Sequence, residues 1–164
     1  MPAVLPLAAA LLLSGCEITP PTVNRVDVDT ALSRKNYKIM CVGLDVREDD
    51  VRTYTTERFI GIADAKEPDP EGVEAGRACI CANVLDEQGR IDIAVAKGME
   101  DTTREDVVQC LADVVKDPKV GHRIDAIAAL EETRTKVARD TMAGLARADT
   151  DIEVRVSAIK ALAG

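Results

Sequence analysis

Cys41, Cys79, Cys81 and Cys110 are the side chains of this 164-residue chain whose type and spacing best suit chemistry. With Cys16 set apart, they form an even set, which in an oxidising compartment points to two disulfides. Free buried thiols and a metal site are the rival readings. A Cys-x-Cys pair on a helix aims its thiols about 200° apart, a poor start for chelating one ion. The single histidine, His122, precedes Arg123 where a helix should begin, a setting that suits a structural side chain better than a pH sensor or a lone ligand. No Ser, His and Asp set can be assembled around it at helical spacing, and the glycines are scattered rather than gathered into a phosphate loop. These residues imply no catalytic centre, no metal and no cofactor. The charge of −8, with three Phe or Tyr residues and no Trp, also excludes a nucleic-acid binder, which needs a basic surface and aromatic faces.

Residues 1–15, MPAVLPLAAALLLSG, carry no charged side chain and form an apolar run too short to cross a ~30 Å hydrocarbon core as a mature helix. The run reads as a targeting segment. Its end, Leu13-Ser14-Gly15-Cys16, resembles the lipobox of bacterial lipoprotein precursors. That resemblance implies a signal peptide over 1–15, cleavage before Cys16, and lipidation of Cys16. An ordinary secretory signal, or a buried helix with a chance cysteine, are the other readings. Several acyl chains would anchor the protein far more firmly than one. Glu17, where the enteric inner-membrane retention signal has Asp, favours the outer membrane. Residues 16–29 then read as a tether, because the Pro20-Pro21 pair prefers extended backbone. Thirteen extended residues after Cys16 would reach at most ~43 Å.

From residue 30 onward, apolar residues recur at three and four with no strand signal, which predicts eight helices of roughly 10 to 16 residues. The helices repeat. Asp117–Leu130 aligns with Asp149–Leu162 at a shift of 32, pairing Arg123 with Arg155, Ala126 with Ala158, Ile127 with Ile159 and Leu130 with Leu162. Arg90-Ile91-Asp92 recurs as Arg123-Ile124-Asp125, and Val51-Arg52 with Thr55 and Phe59 has the spacing of Val154-Arg155 with Ala158 and Leu162. Four copies of one helix pair account for residues 30–164.

A turn with aspartate followed by V-R-x-x-A-x-x-x-L resembles the HEAT repeat, clearly in the last two copies and thinly in the first two. The resemblance implies an all-α fold, a short α-solenoid of about four HEAT-like helix pairs, with an irregular helical bundle as the alternative. It also implies an Asp–Arg ladder between copies. The gap of six is kept by Asp117 with Arg123 and Asp149 with Arg155; upstream, Asp45 lies seven before Arg52 and Asp86 four before Arg90. In such a stack Cys41 falls in copy one, Cys79 and Cys81 in copy two, and Cys110 in copy three. Because residues two apart on a helix face nearly opposite ways, Cys41 should pair with one of the middle thiols and Cys110 with the other. Cys41 with Cys79 and Cys81 with Cys110 is the favoured arrangement, the exchanged pairing stays open, and no Cys41–Cys110 bond is expected. Second helices usually line the concave face of HEAT arrays, which makes Asp92, Asp125 and Lys160 the polar residues expected to meet a partner. The resulting expectation is a lipid-anchored, periplasm-facing protein of the cell envelope, non-catalytic, that serves as a scaffold for an envelope protein. An accessory subunit of an envelope enzyme, or a helical protein binding a small ligand, is the alternative.

Overall fold

The computed structural model describes residues 22–164, and Cys16 and the proposed signal peptide lie outside them. Among the described residues the chain forms nine α-helices: α1 Arg25–Ser33, α2 Tyr37–Val42, α3 Asp49–Ala63, α4 Pro70–Ala82, α5 Ile93–Lys97, α6 Glu105–Val114, α7 Arg123–Thr133, α8 Lys136–Ala148 and α9 Ile152–Ala163. They stack in two layers. Helices α2, α4, α6 and α8 pack in succession along one layer, and α3, α5, α7 and α9 along the other, while α1 closes the amino-terminal end against α2 and α3. This is the all-α, short solenoid of about four helix pairs. One core runs through it, with Phe59, Met40, Ile80, Ile91, Leu111, Ile127 and Leu130 fully enclosed. Ala126, Ala129, Ala158 and Ala161 are all buried, and their small side chains allow the last two copies to approach closely.

Four expectations are corrected. The stretch 25–29, assigned to the tether, is the start of α1: Asn24 and Asp27 form a reciprocal capping box, and Val28 is fully buried. The first helix of copy one is two helices, because Lys35 adopts a left-handed conformation (φ 52°) and Asn36 starts α2 by accepting the Ile39 N–H. Helices number nine rather than eight and shrink to five residues in α5, where Gly98 ends the helix against α3. A Cβ on Gly98 would sit 2.5 Å from Thr56 Cβ, so only glycine permits this approach. Finally, the turn between α4 and α5 closes with an antiparallel bridge between Leu85 and Ile91, around Gly89 at φ 70°. Its signal is the polar stretch Asp86-Glu87-Gln88-Gly89-Arg90 between Leu85 and Ile91, with flanks too short to show a strand period.

Candidate functional site

What holds each copy to the next decides which surfaces remain for a partner. Along the first layer the structure joins Cys41 of α2 to Cys79 of α4, and Cys81 of α4 to Cys110 of α6, with Cα atoms 5.7 and 5.4 Å apart. Helix α4 is thus bonded on both flanks, as thiols two residues apart on one helix allow. Beside the first bond, the Tyr37 hydroxyl donates to Asp69 and Lys35 Nζ lies 3.3 Å from the same carboxylate. Burial, and next the Asp69 hydrogen bond, push the Tyr37 phenol up to about 12.

Along the second layer runs an arginine ladder. In the first copy Arg52 donates to the Val46 carbonyl at 2.8 Å, and its Nε lies 3.1 Å from Asp92 of the second copy. In the third copy Arg123 donates to the Val115 carbonyl at 2.7 Å and grips both carboxylate oxygens of Asp149 in the fourth. Arg155 repeats the inner bond, donating to the Asp149 carbonyl at 2.7 Å. Asp149 is held below the usual carboxylate range by the Arg123 hydrogen bonds first, against the opposing effect of burial. Asp117, Asp45 and Asp86, the upstream aspartates singled out by spacing, form no rung; Asp117 and Asp86 accept hydrogen bonds within their own turns.

The second copy has Ala96 where an arginine would stand, and the rung to copy three is different. The Ile91 N–H donates to the Gly121 carbonyl at 3.1 Å, and His122 Nδ1 sits 3.2 Å from the Ile91 carbonyl. To make these contacts His122 takes a left-handed conformation (φ 63°), which delays the start of α7 to Arg123. His122 therefore has the structural position that the sequence suggested, with a specific task.

At the amino-terminal end, Tyr54 of α3 donates to Asp29 of α1, the Arg58 Nε lies 2.9 Å from Asp29, and the guanidinium carbons of Arg25 and Arg58 lie 5.1 and 4.7 Å from the centre of the Tyr54 ring. The Tyr54 hydrogen bond is the main cause that lowers the Asp29 pKa. This cluster latches α1 to the stack, and sequence reasoning missed it because Asp29 was read as tether.

The three polar residues expected at a partner surface fare differently. Asp92 is corrected: its side chain is mostly buried, caps α5 through the Val95 N–H and pairs with Arg52, so it is a rung and not a contact. Asp125 and Lys160 are exposed and make no ion pair among the described residues. They lie near the start of α7 and the end of α9, so the structure does not gather them into one cluster. The face of the second layer instead exposes aliphatic side chains, Ile93, Ile124, Ile152, Val156 and Ile159. Ile93 and Ile152 each directly follow an aspartate that caps their helix, a signal readable in the sequence as Asp92-Ile93 and Asp151-Ile152.

A recess of about 680 Å³ opens between the turn after α2 and the turn after α4, where Arg52 is paired with Asp92 and Arg90 with Asp86, while Asp45, Arg47 and Glu87 also line it. Among the described residues no group of three or more His, Cys, Asp or Glu is placed to hold a metal ion, and no helix is long and apolar enough to cross a membrane.

Two layers of paired helices, with arginine rungs on one layer, define an α-solenoid of short repeats. Residues 82–163, half of the chain, match the HEAT repeats family, and the chain belongs to it. No curated protein and no solved structure matches the chain.

Proposed function

We propose that this protein is a lipid-anchored component of the bacterial cell envelope whose HEAT-repeat body is a non-catalytic scaffold for an envelope protein partner. The observation that carries the reading is the pair of disulfides joining three successive copies. Disulfides of this structural kind persist in oxidising compartments such as the periplasm. They agree with the Leu13–Cys16 lipobox, which implies export and acylation at Cys16. With α1 starting at Arg25, eight residues separate Cys16 from the body, a reach of at most ~26 Å. The partner therefore lies close to the membrane face that holds the anchor, and Glu17 favours the outer membrane. A stapled stack loses little conformational freedom on binding, which supports recognition through a broad preorganised face rather than a reaction in a cleft.

The test is crosslinking in cells followed by affinity purification of the tagged full chain, in parallel with Cys16→Ser. The scaffold reading requires one envelope protein captured in constant ratio to the wild-type chain. It also requires an intact mass that includes acyl chains and a Cys16→Ser form that is unprocessed or released from the membrane. A mature chain without added lipid would refute the anchor, and a chain that captures no envelope protein would refute the scaffold.

A further inference from the structure

Helix α9 exposes apolar side chains that its counterpart one copy earlier conceals. Ile127 and Leu130 of α7 are 1% and 0% exposed, covered by copy four, whereas the aligned Ile159 and Leu162 of α9 are 54% and 43% exposed. Ile152 at 65% and Val156 at 44% join them. At 100° per residue, Ile152, Val156, Ile159 and Ala163 fall within about 60° of arc, opposite the buried side that holds Val154, Ala158 and Ala161. The helix is therefore apolar on two sides, and one of them is open.

The charges beside the stripe indicate what fits it. Glu153 and Lys160 lie on the same flank, about 20° apart around the axis, and neither forms an ion pair among the described residues. We infer that α9 pairs antiparallel with α9 of a second copy of this chain, Val156 of each copy against Ile159 of the other. A two-fold axis perpendicular to both helices brings like flank to like flank, so Glu153 and Lys160 of one copy meet Lys160 and Glu153 of the other. With the axis at the level between Ser157 and Ala158, the two opposed charges stand within about 3 Å of the same height. A parallel pair would bring the flank of Glu153 and Lys160 against the side of Arg155 and Leu162. Glu153 would then have to compete for a guanidinium that already serves the Asp149 carbonyl, and Lys160 would face Leu162 with no acidic partner. The strip is only about 18 Å long, so it covers well under the ~800 Å² per partner of a standard interface, and the dimer is weak and concentration-dependent.

The test is sedimentation of the full chain in a non-ionic detergent over a wide concentration range, with the charge variants reading α9 alone. Wild type should move from monomer to dimer as concentration rises, and Ile159→Asp should remain monomeric. Glu153→Lys and Lys160→Glu should each weaken the dimer by about fivefold or more, and the double exchange should restore it, as should mixing the two single variants. Carbodiimide crosslinking of mixed light and heavy-isotope chains should join Glu153 to Lys160 between chains. Helical circular dichroism confirms that each exposed-site variant is folded. A wild-type chain that is monomeric throughout, a dimer indifferent to Ile159→Asp, or charge variants that behave like wild type would each overturn the proposal.

Discussion

Replacing Arg123 by methionine is the sharpest perturbation of the stack. Arg123 and Asp149 keep 6% and 5% of their side-chain surface, and both carboxylate oxygens of Asp149 are engaged. Methionine fills most of the volume but leaves the carboxylate buried without its partner and the Val115 carbonyl without the Nε donor. Breaking a buried ion pair from one side costs about 3 to 5 kcal/mol. For a body of this size that lowers Tm by roughly 10 °C. Asp149→Asn should cost less, since the amide oxygen can still accept from Arg123 and from the Asp151 N–H. The double variant Arg123→Met/Asp149→Asn should recover about 1 to 3 kcal/mol of the summed single costs, because the uncompensated charge is gone.

The same pair has a signature in pH. A folded pKa held below the unfolded value of about 3.9 adds stability that is fully present above that value. The contribution drains as pH falls through the folded pKa. The acid limb of the wild-type stability curve should therefore be steeper than that of Arg123→Met, in which Asp149 loses the largest cause of its lowered pKa and keeps only the Asp151 N–H and the Arg155 charge. Urea unfolding between neutral and acid pH, followed by far-UV circular dichroism, measures both effects. An Arg123→Met chain within about 0.5 kcal/mol of wild type, or singles that simply add, would show that the rung contributes nothing to the joint between copies three and four.

Three further outcomes are expected. Closing loops of 38 and 29 residues, the two disulfides should each add about 4 kcal/mol by the loop-entropy relation, so Cys81→Ser with Cys110→Ser should lower the urea midpoint sharply; non-reducing peptide mapping that finds a Cys41–Cys110 crosslink or four free thiols contradicts the stapling. Leu130→Ala should cost about 2 to 5 kcal/mol and Lys160→Ala no more than about 0.5 at a concentration where the chain is monomeric, and equal small effects would show the repeat register to be wrong. Gly98→Ala, whose new methyl meets Thr56 and the Thr53 carbonyl, should cost about 1 to 3 kcal/mol, and a neutral result would mean that α3 and α5 are not in close contact.

The last two copies were legible because their repeats carry long, periodic helices with identical residues at matched positions, and Leu130, Ala126 and Ala158 all lie in the core that the alignment assigns them. The earlier copies hid for identifiable reasons. Arg90-Ile91-Asp92 matches Arg123-Ile124-Asp125 letter for letter, yet Ile91 is fully buried and Ile124 is exposed. The match is one of identity without equivalence. Helix α5 is better aligned by its cap, which places Val95 beside Val51 and Val154 at the third helical position, all three buried. Burial at a given turn of the helix, and not the flanking charge, is what stacking conserves in physical terms. For the same reason the Asp-to-Arg spacing of six was a poor guide to the rungs, since Arg52 and Arg123 each span to the next copy while their own turns supply a carbonyl.

The missing arginine of copy two and the single histidine answer one another. With Ala96 in the second helix, copy two has no arginine at the position from which Arg52 and Arg123 form their rungs, and the turn before α7 is secured in another way. The Leu85–Ile91 bridge holds Ile91 extended, which leaves its N–H and carbonyl free to face the next turn. There the Gly121 carbonyl and the His122 ring take them. The cost is one left-handed histidine and the lost first turn of α7, and the consequence is a joint made by backbone and imidazole where its neighbours are made by guanidinium and carboxylate. A protein stapled by disulfides across copies one to three can accept this weaker rung, because Cys81–Cys110 already spans the same joint from the other layer. The joint between copies three and four has no such bond, and it is there that the most buried ion pair of the described residues is placed.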